Sequence, residues 1–411
     1  MRKMTTQKTN APLAGLVVLD LTHMLSGPYG TMTLSDLGAR TIKVEPPGKG
    51  EGTRQLLAST PAYSRDGMGA YFLTLNRGKE SVALDLKSQE GLQVFYDLVR
   101  HADIVFDNFS VGVTQRLCID HETLSKINPR IITCTVTGFG ETGPDNRRPA
   151  FDQVVQAMGG GMSITGDGAG LPTRSGIPIG DLGGGIFGAM GVLAAVISRE
   201  RTGEGQHVDV SMLDVQISLL NYMATMHLMS GDVPQRIGNS HFVHVPYNVY
   251  PTQDGYVVVA CIGDGFFARF LEMLPLPELQ NPEYEKQPAR LRDKEKIDAA
   301  IGVAFRNKTT AHWLEQLRSH RIPCGPVNNF AQALSDPQVL ARDMVKKVRL
   351  VGGDEISTTG VPMKFSSTNA QYLTAPPRVG EDSQAVLREL LGYSDAKIGQ
   401  LAGSGALGVW A

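Results

Sequence analysis

From Leu16 onward, short apolar runs of strand length alternate with longer stretches of helical spacing. LVVLDLT, RTIKVEP, SVALDL, DIVFDN and RIITCTV are rich in β-branched and apolar residues, and SGPYGTMTLSDLG, SQEGLQVFYDLVRHA and GVTQRLCIDHETLSKIN lie between them. Runs that do not alternate with polar residues belong to strands buried on both faces, the condition of a parallel sheet covered by helices. The pattern predicts an α/β fold whose large domain is Rossmann-like. Further on, Leu182–Ser198 is a run of 17 residues without charge, five of them glycine, just short of the roughly 20 that span a bilayer. Hydrophobic on all sides, it reads as a buried core helix. HVDVSMLD follows as another strand, leading into a Met-rich helix.

After Gly231 the texture changes. PYNVYPTQDGYVVVACIG predicts an antiparallel hairpin turning at Asp254-Gly255, and charged helices run from Phe266 to about Arg321. These make a smaller α+β domain. The tail from about Ala375 holds SQAVLRELLG, a helix suited to pack back on the first domain. The expected organisation is a disordered lead-in over 1–14, a large domain over 15–230, a small domain over 231–340, and a linker with C-terminal return over 341–411.

Composition sharpens this in three respects. A chain of 411 residues, 42% of them apolar, can bury a large core and has room for two domains. A formal net charge of −2 with no basic block gives no support for a nucleic-acid partner and turns attention to small molecules. Cys118, Cys134, Cys261 and Cys324 show no zinc spacing and read as buried free thiols of a reducing cytoplasm. MRKMTTQKTNAPLAG lacks the apolar stretch of a secretory signal, and no membrane partner is expected.

Candidate chemistry gathers at glycine-rich places. GFGETG, Gly138 to Gly143, matches G-x-G-x-x-G after a strand, but Pro144 and Pro149 stand where a dinucleotide site needs a helix. Gly138, Phe139 and Gly140 are therefore read as a turn beside a ligand. GGGMSITG, Gly159 to Gly166, lacks the ending of a phosphate loop; its bare amides suit an oxyanion or, equally, a tight packing turn. In IPIGDLGGGIFGAMG, Asp181 meets three glycines at the mouth of the uncharged run. It reads either as a helix N-cap or as a reactive carboxylate, and local sequence leaves both standing. There is no G-x-S-x-G for a serine hydrolase. His23, His241 and His244, each alone, read as structural residues, and Asn239 with His241 in GNSH as serving the turn before the hairpin.

Taken in order, several segments resemble the family III CoA-transferases of CaiB/BaiF type. They are LDLTHMLSGPYGTMTLSDLGARTIKVEPPGKGEGTR, LNRGKESVALDL, DIVFDNFSVGVTQRL, TGFGETGP, FDQVVQAMGGGMSITG, IPIGDLGGG, RTGEGQHVDVSMLD, GNSHFVHVPYNVYPTQDGY and IPCGPVNN. The resemblance runs from Leu16 over nearly the whole chain. It implies that Asp181 is the catalytic nucleophile, which attacks an acyl-CoA thioester and then carries CoA as an aspartyl thioester. It implies CoA contacts at His23, Met24, Leu25 and Ser26 after the first strand, at Asn108 and Phe109 after the fourth, and at Arg116. The charge of Arg116 suits a phosphate; its plainer reading is a solvated helix arginine. No tightly bound cofactor and no metal are implied, only a CoA thioester and a carboxylic acid as substrates, in an interlocked homodimer.

Two departures guide the choice of acid. Leu25 stands where formyl-CoA transferases carry Gln, and their glycine-rich insertion near GNSH is missing. Both argue against oxalate and toward the succinyl-CoA-dependent enzymes that serve malate, citramalate or glutarate. Transfer within one acid, between its two carboxyls, has the same sequence signature. α-Methylacyl-CoA racemase is the related alternative; it uses a His-Asp pair where this chain reads Phe151-Asp152, so one of two bases is absent. An inactive acyl-CoA-binding protein is the non-enzyme alternative, and an intact Asp181 speaks against it.

Overall fold

A computed structural model describes residues 10–368 and 374–410. They divide into two compact units: the described residues of Met1–Gly161, Ser175–Thr225 and Leu340–Ala411 make the first, and Met162–Arg174 with Met226–Val339 the second. Of the expected lead-in, residues 1–9 lie outside the described residues, and of the rest Asn10, Pro12 and Ala14 are exposed. Ala11 is buried, and the Leu13 amide donates to Leu37 O at 3.0 Å.

The first unit is built on β1 (Val17–Asp20), β2 (Arg40–Glu45), β3 (Lys79–Leu84), β4 (Ile104–Asp107), β5 (Ile132–Thr137), β6 (His207–Ser211) and β7 (Leu407–Gly408). They form one seven-stranded sheet in the order β7-β3-β2-β1-β4-β5-β6. Val18 faces Thr41 on one side and Ile104 on the other, and every pairing is parallel except that of β7 with β3. Apart from the antiparallel β7 this is the doubly wound order 3-2-1-4-5-6. The short β7 completes an edge that the sequence pattern did not disclose.

The C-terminal return is held by apolar burial and by backbone pairing. Val386 and Leu387 of the helix Ser383–Leu391 are fully buried in one cluster with Leu19, Ile42, Val82 and Phe95. Side chains of this size contribute about 1.5–3 kcal/mol each when buried. Asp382 Oδ2 accepts the Ser81 amide at 2.9 Å and Ser383 Oγ the Ala83 amide at 3.1 Å, which covers the outer edge of β3.

Two helical expectations change. GVTQRLCIDHETLSKIN is broken into Val113–Arg116 and His121–Ile127, because Asp120 caps the second piece, accepting the Thr123 amide at 3.1 Å, and Cys118 sits at a φ of 57°. Cys118 is exposed and Cys324 half-buried, so only Cys134 and Cys261 are buried thiols. The uncharged run forms a helix over Ile179–Thr202, long and apolar enough to cross a membrane, yet it is not buried all round. Its small-residue face (Gly183, Gly184, Gly185, Gly188, Ala189) is buried, while Ile186, Met190 and Ile197 are 50%, 54% and 64% exposed. Glycine permits the close approach. A Cβ at position 185 would stand 2.4 Å from Ser26 O in the helix Ser26–Asp36.

In the second unit, Tyr247–Pro251 and Tyr256–Ala260 form the expected antiparallel hairpin, and Cys324–Pro326 adds a third strand. The helices Asp264–Met273, Lys294–Phe305 and Thr310–Ser319 close its core around Phe267, Phe270, Ile297 and Phe305, with Phe305 stacked on Trp313 at 4.3 Å.

Candidate active site

The strand order reverses at β1, with β2 on one side and β4 on the other. Connections leaving their C-terminal ends part there and open a crevice, the usual ligand position of such sheets. After β1 the chain makes the His23-Met24 turn, which two side chains clamp. Asn108 Oδ1 accepts the His23 amide at 2.9 Å while its Nδ2 donates to His23 O at 2.7 Å. Glu51 Oε1 accepts the Met24 amide at 2.9 Å, and the same carboxylate receives the amide and hydroxyl of Thr53. Met24 is thereby held at a φ of 63°, a left-handed conformation that a Met rarely adopts.

The crevice is a cavity of about 540 Å³, large enough for a cofactor-sized ligand. His23, Met24, Glu51, Asp85, Lys87 and Phe109 are on its wall, with Leu21, Val113 and Leu117 among the apolar positions. Beneath it lies a sealed ionic cluster: Asp20 is 2.8 Å from Lys79 Nζ and 3.9 Å from Lys43 Nζ, all without exposure. Burial by itself would raise the Asp20 carboxyl, but the two ammonium groups outweigh it and bring it down to about 2. The same burial lowers Lys79 to about 8 against the pull of Asp20. Lys43 also donates to Thr22 O at 2.7 Å, so the cluster pins the base of the turn. Burial likewise draws the His23 imidazole below its ordinary value.

Asp181 occupies the first turn of the helix Ile179–Thr202, whose N-cap is Pro178, so the carboxylate is not the cap. The orphan amides are taken by another acid. Asp152 Oδ1 accepts from the amides of Gly180 at 2.8 Å and Asp181 at 3.4 Å, and Gln156 Nε2 steadies its Oδ2 at 2.7 Å. The half-buried Asp181 side chain accepts no hydrogen bond among the described residues. Burial, then the Asp152 charge, raise it to about 6. The phenol of Tyr71 is raised to about 12, by burial and then by the charges of Asp181, Glu51 and Asp152. Tyr71 thus feels both the crevice wall and the candidate nucleophile.

Of the residues proposed from sequence, His23, Met24 and Phe109 wall the crevice, Asn108 ties its turn together, and Leu25 and Ser26 lead into the next helix. Arg116 ends the short helix whose Val113 reaches the cavity; it is exposed and makes no ion pair among the described residues. Gly138, Phe139 and Gly140 do not line this cavity. Their turn is fastened to the far part of the sheet, with the Gly140 amide on Thr137 Oγ1 at 2.8 Å and the Glu141 amide on Asp209 Oδ2 at 3.0 Å. Glu141 there meets His207 Nε2 at 2.8 Å, on a smaller cavity of about 200 Å³ shared with Asp107 and His121. Sequence reasoning missed the roles of Glu51, Tyr71 and Asp152, the last having entered only as the acid at the position of the racemase pair. The first lies in PPGKGEGTR and the last beside Phe151, but neither stretch signals which backbone amide it will serve.

A doubly wound sheet with a large crevice at its switch point, and a carboxylate that is not the cap of its glycine-faced helix, make a ligand-binding α/β protein of this class. The model of CoA-transferase family III matches residues 13–383, and the chain belongs to that family: it is a CoA-transferase. Acetyl-CoA:oxalate CoA-transferase from Acetobacter aceti is 39% identical to it over 95% of this chain and 98% of its own length. Succinyl-CoA:glutarate CoA-transferase from Homo sapiens is 33% identical over 96% of this chain and 90% of its own. A CAIB/BAIF family protein from Brucella suis, known as a crystal structure, superposes with a TM-score of 0.83 at 34% identity, covering 93% of this chain and 100% of that one.

Proposed function

We propose that this CoA-transferase carries CoA on Asp181 as it moves from an acyl-CoA to a carboxylic acid. The observation that supports this reading is the division of labour between two acids, Asp152 capping the helix and the Asp181 carboxylate left without a hydrogen bond among the described residues. With its carboxyl raised to about 6, Asp181 is largely ionised at neutral pH and poorly solvated, the state of an activated nucleophile. Its oxygen attacks the thioester carbonyl and the CoA thiolate leaves, giving a mixed anhydride. The thiolate then attacks the Asp181 acyl carbon, releasing the donor acid as its carboxylate. The acceptor carboxylate attacks the aspartyl thioester, and the thiolate expelled moves to the acceptor's acyl carbon. Asp181 is regenerated, and no proton is exchanged.

The CoA nucleotide is placed in the crevice at His23, Met24 and Phe109, with Arg116 at a phosphate. Dicarboxylic acids are the proposed acceptors, with succinyl-CoA a suitable donor. Oxalate returns to the set despite Leu25 and the missing glycine-rich insertion, because a relative 39% identical over nearly the whole chain is named for it. Phe151, where the racemase carries its histidine, has no base to offer; this favours transfer over racemisation. A homodimer is the reading that exposed Ile186, Met190, Ile197, Ile217 and Leu219 support, as large apolar side chains of an associating surface. The test is incubation with succinyl-CoA or acetyl-CoA and a panel of acids, read by mass spectrometry, with hydroxylamine to trap the activated carboxyl. New CoA esters and a hydroxamate on Asp181 are expected; a hydroxamate on any other residue rejects the assignment.

A further inference from the structure

Cys134 of β5 faces the helix Ile179–Thr202, its thiol 3.8 Å from Gly188 O, so Thr133 and Thr135 face the other side of the sheet. There the register sets Thr135 beside Asp107 of β4 and Thr133 beside His207 of β6. These four line the smaller cavity of about 200 Å³ together with His121 and Glu141. Thr133 Oγ1 is 2.8 Å from His207 Nδ1 and 3.0 Å from His121 Nδ1, and its single proton serves only one of them. Burial would lower His207, but its hydrogen bond to Glu141 at 2.8 Å and the charge of that acid outweigh burial and raise it. His207 is therefore the donor to Thr133, which in turn donates to His121, held below its ordinary value by burial and then by the His207 charge. Asp107, 3% exposed, is the member of this cluster that reaches the crevice. Its Oδ2 accepts the Thr135 hydroxyl at 2.9 Å and its Oδ1 the Phe109 amide at 3.1 Å; Phe109 walls the large cavity, its ring 5.6 Å from that of His23. The short helix Val113–Arg116 has the same double position, with Val113 on the crevice and Thr114 and Gln115 on the smaller cavity. One layer of chain separates the two cavities, and a carboxyl group in one holds the wall of the other.

We infer that Asp107 is a positioning residue for CoA: ionised, it holds Phe109 in the crevice wall, and on taking up a proton it loosens that hold and weakens CoA binding. This rests on CoA lying in the crevice at Phe109. An ionised carboxylate accepts the amide by a charge-assisted bond about twice as strong as a neutral one, and the neutral acid keeps only the weaker bond. The proton is exchanged near neutral pH, because burial pushes the Asp107 carboxyl up to about 7 against the Phe109 amide, the Thr135 hydroxyl and the His207 charge. The charged and titratable groups around it are His207 and Asp209 from β6, Glu141 from the turn after β5, and Asp120, His121 and Glu122 at the start of the helix His121–Ile127. From β1 comes Asp20, which is engaged with Lys79 and Lys43. By reciprocity, a ligand that favours the ionised carboxylate expels its proton when it binds.

The experiment is calorimetric titration of free CoA into the full chain, wild type and Asp107→Asn, on both sides of about pH 7. Asn offers the same acceptor to Phe109 and a donor to Thr135, so it keeps the fold and stands for the protonated acid at every pH. Expected are equal affinities near about pH 6 and a variant weaker by about threefold to tenfold near about pH 8. The CoA phosphate, which titrates near about 6, is common to both proteins and cancels in the ratio. Near neutral pH the wild type should also release more protons on binding than the variant, read from the heats in buffers of unlike ionisation enthalpy. His207→Gln removes the positive charge beside Asp107 and should move the wild-type transition to higher pH. A ratio of affinities that does not change with pH overturns the inference, since a residue serving only the fold weakens CoA by the same factor throughout. If Asp107→Asn does not fold, His207→Gln decides, and an unmoved transition overturns it. Failure of the crevice reading shows elsewhere, in a Phe109→Ala protein whose CoA affinity equals that of wild type at every pH.

Discussion

Asp152 Oδ1 accepts the backbone N–H of Asp181 at 3.4 Å, beside that of Gly180 at 2.8 Å, so one acid caps the helix on which the other is displayed. The capping charge also faces the displayed carboxyl and helps raise it to about 6. A structural duty and an electrostatic one are joined in one side chain.

Asp152→Asn separates them. Asn caps as well as Asp, so the fold should be retained, but the negative charge is gone and the Asp181 carboxyl should ionise more readily. In wild type, kcat/KM should fall on the acid side near the pKa of about 6. That limb should move to lower pH in the variant, and a pH profile identical to wild type would show that the Asp152 charge does not act on Asp181.

Stability should carry the mark of the same carboxyl. The folded value of about 6 lies above the ordinary 3.8, so the folded state binds the proton more tightly than the unfolded state. The associated stability is full below about pH 4 and is lost as pH rises through about 6. Asp181→Asn has no such proton to lose. Melting curves should place it above wild type at about pH 8 and level with it near pH 4, while transferase activity is at background.

Glu51 tests the clamp. Its carboxylate is 5% exposed and receives the Met24 and Thr53 amides at 2.9 and 3.0 Å. Glu51→Ala leaves both without a partner, costing about 1–3 kcal/mol per buried group, and releases Met24 from its left-handed turn. A lower melting temperature and a higher KM for acyl-CoA are expected, with Glu51→Gln, which keeps an acceptor oxygen, recovering most of both. Equal behaviour of the two variants would deny the clamp.

Arg116 is exposed and without an ion pair among the described residues. Arg116→Ala should leave the melting temperature unchanged and raise the KM for acyl-CoA about tenfold, the value of a lost charge-assisted phosphate contact. Added salt should weaken wild-type binding more than that of the variant. An unaltered KM removes Arg116 from the site.

Gly185 is a packing prediction. A Cβ there would meet backbone atoms, Ser26 O at 2.4 Å and Gly30 N at 3.0 Å, so Gly185→Ala should force two helices apart at about 1–3 kcal/mol. Gly399, in the helix Asp395–Gly403, has open space where its Cβ would go; Gly399→Ala should be neutral or stabilising by about 0.5–1 kcal/mol. Denaturant titration of both variants compares the two sites directly.

The parallel sheet was legible because LVVLDLT, RTIKVEP, SVALDL, DIVFDN and RIITCTV are rich in apolar and β-branched residues, as strands covered on both faces are; that Asp20 and Lys43 within them would be sealed as ions beside Lys79 was not. The hairpin at Asp254-Gly255 was legible from its turn chemistry. β7 was not, since two residues carry no period, and the break in GVTQRLCIDHETLSKIN depended on Asp120 finding the Thr123 amide. The long apolar run was correctly helical, but only the neighbouring helix decided that its glycine side would be buried and Ile186, Met190 and Ile197 left outside. At Asp181 the chain named the residue and could not name its state. A capping carboxylate and one left free of hydrogen bonds have the same letter and the same neighbours in sequence. What separates them is an acid 29 residues upstream that reaches the Gly180 amide first, and hydrogen-bond partners are chosen by distance in space, not along the chain.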